Sequence, residues 1–149
     1  MKLLSKGPGE TVRCGFALGK RLRKGDTVCL FGELGSGKTT FVKGIASALG
    51  IPERDITSAS FTIIAEYAGT VNKAPVPFYH IDLYRLHGAA ELDSIGVEEY
   101  IGKDGISVIE WAERLGEVEG SISVTFNIVA EDTREITIEG MDETDRNNL

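Results

Sequence analysis

A short glycine-rich segment carries the residue types that bind the phosphates of a nucleotide. From Gly32 to Thr39 the sequence is GELGSGKT, which matches the spacing G-x-x-x-x-G-K-[ST] between an apolar run and a helical pattern. Its glycines allow backbone N–H groups to point at phosphate oxygens, and the start of a helix adds a positive dipole. Lys38 would neutralise the outer phosphates, and the Thr39 hydroxyl would ligate Mg²⁺. The segment therefore predicts a Mg-ATP site.

Two carboxylates that follow predicted strands could complete a metal site. A metal bound to ATP needs further oxygen ligands or acceptors, which a carboxylate at a strand end commonly supplies. Asp82 follows the apolar run 78–81, and Glu110 follows the run 106–109. A lone carboxylate at such a position more often caps a helix or lies on the surface, but the upstream glycine-rich loop favours a role in the site. From these residues alone, either carboxylate could touch the metal while the other polarises water.

Further polar and aromatic side chains lie close to these positions in the sequence. Ser58, Ser60 and Thr62 occupy the connection where P-loop NTPases place a loop that senses the terminal phosphate. A plain polar connection explains these three residues equally well. Arg85 could stabilise charge on a transferring phosphate or pair with a carboxylate. For Trp111, which is the only tryptophan, packing at a strand end is the default expectation.

Alternating helical and strand patterns would position these residues. Helices are predicted over residues 11–23, 38–49 and 89–101, and strands over residues 27–31, 61–67, 76–82, 106–109, 121–130 and 136–138. A turn containing Gly69 and Asn72 is predicted between the strands 61–67 and 76–82. The order predicts an α/β fold, namely a P-loop NTPase-like mixed sheet flanked by helices, with a C-terminal β-hairpin. Ligands bind beyond the carboxyl ends of the strands in such sheets, which is where Gly32, Asp82 and Glu110 are expected.

Length, charge and composition limit the range of functions. The 149 residues fit a single domain, predicted over residues 1–140 and followed by a polar tail at 141–149. The net charge of −7 argues against autonomous binding to nucleic acid, because phosphate contacts need clustered Lys and Arg. The basic cluster 20–24 is interpreted as a solvated helix end rather than a docking patch. No apolar run suits a membrane span or a signal peptide, so we expect a cytoplasmic protein with no membrane partner.

The cysteines and histidines show no spacing typical of a metal site or a catalytic triad. Cys14 and Cys29 fall in a predicted buried helix and a predicted buried strand, so both are expected to be reduced thiols of the core. His80 and His87 have no suitably spaced partner and are expected to be structural.

Four segments, in this order, resemble the TsaE (YjeE) family of small bacterial ATPases, which is needed to make threonylcarbamoyladenosine in tRNA. The resemblance covers about residues 9–140. The segments are GELGSGKTTF at 32–41, HIDLYRL at 80–86, Glu91-Leu92 with Gly96, and VIEW at 108–111. The first is common among NTPases, whereas the second and fourth in this order are more specific to the family.

The resemblance implies a role for each residue around the phosphates. The residues that would hold the phosphates are Gly35, Ser36, Gly37, Lys38, Thr39 and Thr40. Thr39 and Glu110 would place Mg²⁺, and Asp82 would support catalysis together with Lys38. ATP and Mg²⁺ are therefore the implied cofactors.

Other matching positions would surround this centre. The resemblance implies that Trp111 flanks the site, and Tyr84 and Arg85 belong to the shared HIDLYRL segment. Thr11 and Arg134 match family positions close to the nucleotide.

One departure from the family concerns the connection before the second predicted strand. The family usually has Ser-Pro-Thr where this chain has Ser58-Ala59-Ser60. Ser60 keeps a hydroxyl group at the position of the threonine. Loss of the proline makes the connection less rigid, so phosphate sensing by this loop is less firmly implied.

The family further implies partner proteins. They are TsaB and TsaD, with TsaD performing the carbamoyl transfer, so the chain would meet tRNA only indirectly through the complex. The expected activity is ATP hydrolysis stimulated by these partners. Two alternatives use the same loop: a small-molecule kinase, and a nucleotide-gated binding module without catalysis. The kinase is less favoured because the sequence shows no second glycine-rich or arginine-rich lid segment.

Overall fold

The computed structural model describes residues 1–57, 63–86 and 88–141, and a mixed β-sheet is its central feature. In chain order the strands are β1 (Lys2–Ser5), β2 (Thr27–Phe31), β3 (Ile64–Val71), β4 (Ala74–Asp82), β5 (Ile106–Glu110), β6 (Ile122–Ala130) and β7 (Thr133–Glu139). Their order across the sheet is β1-β7-β6-β2-β5-β4-β3. The predicted P-loop NTPase-like mixed α/β fold with a C-terminal hairpin is confirmed.

The four central strands run parallel, and β2 and β5 among them are almost entirely buried. β2 pairs in parallel with β5 and β6, and β4 pairs in parallel with β5. The register places Leu30 of β2 on one side of Glu110 and Asp82 of β4 on the other. Because the carboxyl ends of parallel strands meet at one edge of a sheet, the loop after β2 and both carboxylates come together there.

Two helices, α1 (Pro8–Gly19) and α2 (Lys38–Ala48), cover one face of the sheet and pack closely against each other. A Cβ atom on Gly15 would lie 2.2 Å from a backbone oxygen of α2, and one on Gly44 would lie 2.1 Å from a backbone oxygen of α1. Since a real Cβ contact is never that short, only glycine permits this approach at the two positions. The close packing fixes α2, whose first residues belong to the glycine-rich loop motif.

The opposite face carries a second, smaller apolar cluster beneath α3 (Ala89–Ile95) and a following 3₁₀ turn (Val97–Tyr100). Ile81 of β4 and Ile109 of β5 point into this cluster. Because successive side chains of a strand point to opposite faces, the residues on either side of these two isoleucines face α1 and α2. His80, Asp82 and Glu110 therefore share one face of the sheet, the face on which α2 begins.

The predicted bounds of the first helix, 11–23, are wrong at both ends. The helix begins at Pro8, because proline suits the first helical position. It ends at Gly19, after which the N–H groups of Arg21 and Leu22 donate to carbonyls three residues back. The basic cluster 20–24 consequently follows the helix in a turn.

The connection between β3 and β4 also differs from the prediction. The turn consists of Asn72 and Lys73, which have φ values of +50° and +68°. Two consecutive left-handed residues are typical of the tight turn that matches the twist of a hairpin. Gly69, which was expected in the turn, is therefore part of β3. The first two residues of the predicted strand 61–67 lie outside the described part of the chain.

The remaining differences concern short segments. The predicted helix 89–101 ends at Ile95, because Gly96 has a φ of +65° and breaks it. β1 was not predicted, and it forms by antiparallel pairing with the distant β7. Cys29 is buried as expected, whereas Cys14 is only half-buried. His87 and the tail from residue 142 onward lie outside the described residues.

No helix in the described ranges combines the length and the apolar character that a membrane crossing requires.

Candidate nucleotide-binding site

The loop between β2 and α2 ends in a backbone geometry that leaves N–H groups available to an anion. Gly37 has a φ of +104°, in the left-handed region that favours glycine, and Lys38 is the first residue of α2. The first N–H group bonded back along the helix is that of Phe41, which donates to the Gly37 carbonyl at 2.9 Å. The N–H groups of Lys38, Thr39 and Thr40 therefore precede the intrahelical ladder, as expected at a helix start that holds phosphate.

Lys38 extends from this helix start to the beginning of the loop. Its Nζ donates to the Gly32 carbonyl oxygen and lies 3.5 Å from the centroid of the Trp111 ring. Burial lowers the pKa of Lys38, although nearby carboxylates act in the opposite direction. A cation over a tryptophan ring gains about 0.5–2 kcal/mol, more when water is excluded. The aromatic ring thus helps to hold the ammonium group at the site.

Trp111 was expected to pack at a strand end, but its ring also contacts the Lys38 ammonium group. Its backbone has a φ of +59°, which is strained for a bulky side chain. The ring packs against Tyr84, with the two ring centroids 5.0 Å apart. Trp111 therefore joins Lys38 to the exposed Tyr84 side chain at the edge of the site.

The Glu110 carboxylate is held from two sides at the end of β5. The side chain is buried, with 3% of the residue exposed. Thr39 Oγ1 lies 3.1 Å from each of the two carboxylate oxygens. His80 Nε2 lies 2.5 Å from Oε2. The contact with Thr39 links the sheet to the first turn of α2, at the position predicted for the metal.

The donors at this position fit Mg²⁺. A hydroxyl and a carboxylate are hard oxygen ligands, and Mg²⁺ in nucleotide sites is commonly bound by one or two protein oxygens together with phosphates and waters. Among the residues that the structure describes, no group of three or more His, Cys, Asp or Glu side chains is arranged to hold a metal alone. Thr39 and Glu110 thus suit a metal that arrives with a phosphate ligand.

Asp82 lies beside Glu110 at the end of the neighbouring strand. The two residues are register partners, and Asp82 Oδ1 accepts a hydrogen bond from the Tyr84 N–H at 3.0 Å. Burial raises the pKa of Asp82, and the negative charge of Glu110 adds to this effect. The Tyr84 hydrogen bond acts against it, and so do the nearby side chains of His80 and Lys38. A carboxylate made more basic in this way is suited to accept a hydrogen bond or a proton from water.

A cavity of about 310 Å³ joins these groups, and we call it the larger cavity. Its lining includes Gly35, Gly37, Lys38, Thr39, Thr40, Asp82, Tyr84, Arg85, Glu110 and Trp111. The structure thus brings together residues that sequence analysis selected from three separate segments.

A second cavity of about 130 Å³, the smaller cavity, lies on the other side of the loop. Thr11 and Arg134 both line it, although they belong to α1 and β7. Arg134 also donates from its guanidinium to the Gly35 carbonyl at 3.2 Å. Gly35, Gly37 and Thr40 line both cavities, so the loop separates two adjoining spaces.

The structure places the other predicted residues as follows. Ser36 is fully buried and lines neither of these two cavities, and its N–H donates to the Glu33 carbonyl at 3.1 Å. The predicted phosphate-sensing residues Ser58, Ser60 and Thr62 lie outside the described residues. Ile63, which follows them directly, lines the larger cavity.

His80 is the residue whose place in the site sequence analysis missed. It was expected to be structural without a particular partner, but it bonds to Glu110. The available signal was the two-residue spacing of His80 and Asp82 on a predicted strand, which puts both side chains on one face. What could not be read from spacing was that Glu110 of the next strand faces the same side at the same level.

The fold and this site define a P-loop NTPase-like α/β protein. The chain belongs to the TsaE family, since the family model described as "Threonylcarbamoyl adenosine biosynthesis protein TsaE" matches residues 5–143. The resemblance inferred from the four sequence segments is thereby confirmed.

Individual relatives agree with the family model. The chain is 39% identical over 140 residues to the tRNA threonylcarbamoyladenosine biosynthesis protein TsaE of Treponema pallidum (strain Nichols), covering 93% of this chain and 99% of the relative. It is 36% identical over 139 residues to the protein of the same name from Bacillus subtilis (strain 168), covering 92% and 84%. The crystal structure of Bacillus subtilis YdiB superposes with a TM-score of 0.75 at 32% identity, covering 99% of this chain and 90% of YdiB.

Proposed function

We propose that the protein binds and hydrolyses Mg-ATP, and that this hydrolysis supports the TsaB–TsaD complex in the threonylcarbamoyladenosine modification of tRNA. The observation that carries the proposal is the contact between the Thr39 hydroxyl and the buried Glu110 carboxylate, at the start of the helix that follows the glycine-rich loop. These two oxygen donors are the pair expected to place Mg²⁺ next to loop-bound phosphates. Membership of the TsaE family supports the link to tRNA modification.

The two cavities suit two different parts of ATP. The larger cavity contains the Lys38 ammonium and the first N–H groups of α2, which are suited to the outer phosphates. The smaller cavity, between Thr11 and Arg134, would take the nucleoside. In this arrangement the phosphate chain follows residues 35–40 from one cavity into the other.

The residues of the larger cavity would divide the hydrolysis between them. Water attacks the terminal phosphorus while the bond to the bridging oxygen of ADP breaks, so negative charge grows on that oxygen. Mg²⁺ supplies charge neutralisation on the phosphates when it is bound. Lys38 stabilises charge on the outer phosphate oxygens, and Asp82 accepts a hydrogen bond from the attacking water. Arg85 lines the same cavity and is a candidate for a further contact with the transferring phosphoryl group.

The proposed role in tRNA modification is indirect. With a net charge of −7, the chain is poorly suited to bind tRNA through phosphate contacts of its own. TsaD would perform the carbamoyl transfer, and the ATP cycle of this protein would reset or license the TsaB–TsaD complex. Turnover should accordingly be slow without the partners. Since the substrate of the pathway is tRNA, the proposal includes a cytoplasmic location.

The direct test is ATP hydrolysis by the purified protein, alone and with the TsaB–TsaD complex and tRNA. The Lys38→Ala variant serves as the blank, and Lys43→Ala serves as the matched control because Lys43 lies on α2 but lines neither cavity. We expect stimulation by the partners, a loss of about 100-fold or more in Lys38→Ala, and normal stimulation in Lys43→Ala. Equal turnover with and without the partners would contradict the proposed partner dependence.

A further inference from the structure

His80 is fully buried and lines neither of the two cavities, yet it touches the proposed metal ligand. It lies on β4 with none of its surface exposed, and its Nε2 is 2.5 Å from Glu110 Oε2. The side chain therefore does not contact a bound nucleotide in either cavity. The direct contact of His80 with the site is the one with Glu110.

The surroundings of the imidazole distinguish its two ring nitrogens. His80 Nδ1 is buried and has no hydrogen-bond partner within the described part of the chain. A hydrogen on Nδ1 would thus be a buried donor without an acceptor, which is more costly than a bare acceptor nitrogen in the same place. The hydrogen in the contact with Glu110 is therefore assigned to Nε2, which donates to the carboxylate oxygen Oε2.

Thr39 and His80, the two partners of Glu110, would have different roles when a metal is bound. Thr39 holds the carboxylate from the side of α2, but the same hydroxyl is the one that would turn toward Mg²⁺. When that happens, His80 is the contact that keeps Glu110 in place. Hydrogen bonds to a ligating carboxylate are known to fix its orientation and to tune metal affinity.

We propose that His80 is a positioning residue, which donates from Nε2 to Glu110 and thereby sets the Mg²⁺ dependence of nucleotide binding. The inference depends on the proposed function, because it assumes that Glu110 acts on nucleotide-bound Mg²⁺. It goes beyond that function by giving a buried side chain outside both cavities a defined chemical task.

The test compares His80→Gln with His80→Met. The two substituted side chains have similar length and volume, but only glutamine keeps an N–H donor near the position of Nε2. ATP affinity is measured by calorimetry for each protein in the presence of Mg²⁺ and in EDTA, and the ratio of the two affinities is the readout. A side chain that merely fills space would move both affinities together and would treat the two variants alike.

We expect His80→Met to reduce the Mg²⁺-dependent gain in affinity by about 10-fold to 100-fold, while the affinity in EDTA changes little. His80→Gln should keep most of the gain. In a Glu110→Gln background, His80→Met should add almost nothing, because the group that it positions is already altered. An unchanged Mg²⁺-dependent gain in His80→Met, with wild type showing a clear gain, would overturn the inference.

A second measurement leaves His80 itself unchanged. The chain has two histidines, so the ¹⁵N NMR signals of His80 can be assigned with a His87→Asn variant. We expect the hydrogen on Nε2, and a hydrogen on Nδ1 alone would contradict the inference. Failure of wild type to bind ATP at all would instead count against the proposed function, so the two failures can be told apart.

Discussion

The two cavities on either side of the glycine-rich loop are built in different ways. In the larger cavity, three charged side chains are buried: Lys38, Asp82 and Glu110 are 5%, 8% and 3% exposed, and each has a hydrogen-bond partner of its own. In the smaller cavity, the partly exposed Arg134 donates its hydrogen bonds to backbone carbonyls, among them that of Gly35. Buried charges are costly unless they are paired, and they are retained where chemistry needs them. We therefore assign the proposed reaction to the larger cavity, and the remainder of the proposed ligand to the smaller cavity.

The largest effect should come from Glu110→Gln, which keeps the shape of the side chain but removes its charge. We expect ATP hydrolysis to fall about 100-fold or more, because the oxygen ligand and the contact with Thr39 are both weakened. Steady-state assays at several Mg²⁺ concentrations separate lost metal affinity from lost turnover. The matched control is Glu113→Gln, an exposed carboxylate three residues away. A similar loss in the control would mean that general charge, not position, is responsible.

A smaller effect should follow from Arg134→Ala on the other side of the loop. Removing the guanidinium loses its bond to Gly35, so we expect ATP to bind about 5-fold more weakly, which corresponds to one ordinary hydrogen bond. The loss should be the same in Mg²⁺ and in EDTA, and kcat should hardly change. Arg54→Ala, which removes an exposed arginine from the short helical turn 53–55, is the control. A large fall in kcat would break the distinction between the two cavities.

The smallest effect concerns stability rather than catalysis. Burial raises the pKa of Asp82, so the folded protein holds its ionised form less well than the unfolded chain does. At neutral pH the charge therefore destabilises the nucleotide-free protein, and Asp82→Asn should raise Tm by about 2–4 °C. The gain in Tm should shrink as the pH falls through the raised pKa of Asp82, because protonation then removes the same buried charge from wild type. Thermal unfolding of both proteins, followed from neutral to acid pH, measures this change in the gain. A gain that is constant with pH would show that burial of the charge is not the cause.

The sequence predicted the parts of the molecule that are encoded locally. The loop GELGSGKT could be predicted because its glycines and their spacing determine its conformation locally. Asp82 and Glu110 could be found because each directly follows an apolar run. β1 was missed because its four residues have no pattern of their own and become a strand only by pairing with β7. The contacts of His80 with Glu110 and of Lys38 with Trp111 were also missed, since each depends on the register or turn that joins distant segments. Thr11 and Arg134 were selected through the family resemblance alone, and no periodicity could have placed them beside the loop.

A crystal structure with Mg²⁺ and a non-hydrolysable ATP analogue would test the central claim most directly. The account predicts Mg²⁺ at about 2.1 Å from Thr39 Oγ1, with Glu110 beside it and the terminal phosphates in the larger cavity. It also predicts the nucleoside in the smaller cavity, between Thr11 and Arg134. Phosphates bound away from residues 35–40, or a metal remote from both Thr39 and Glu110, would contradict it.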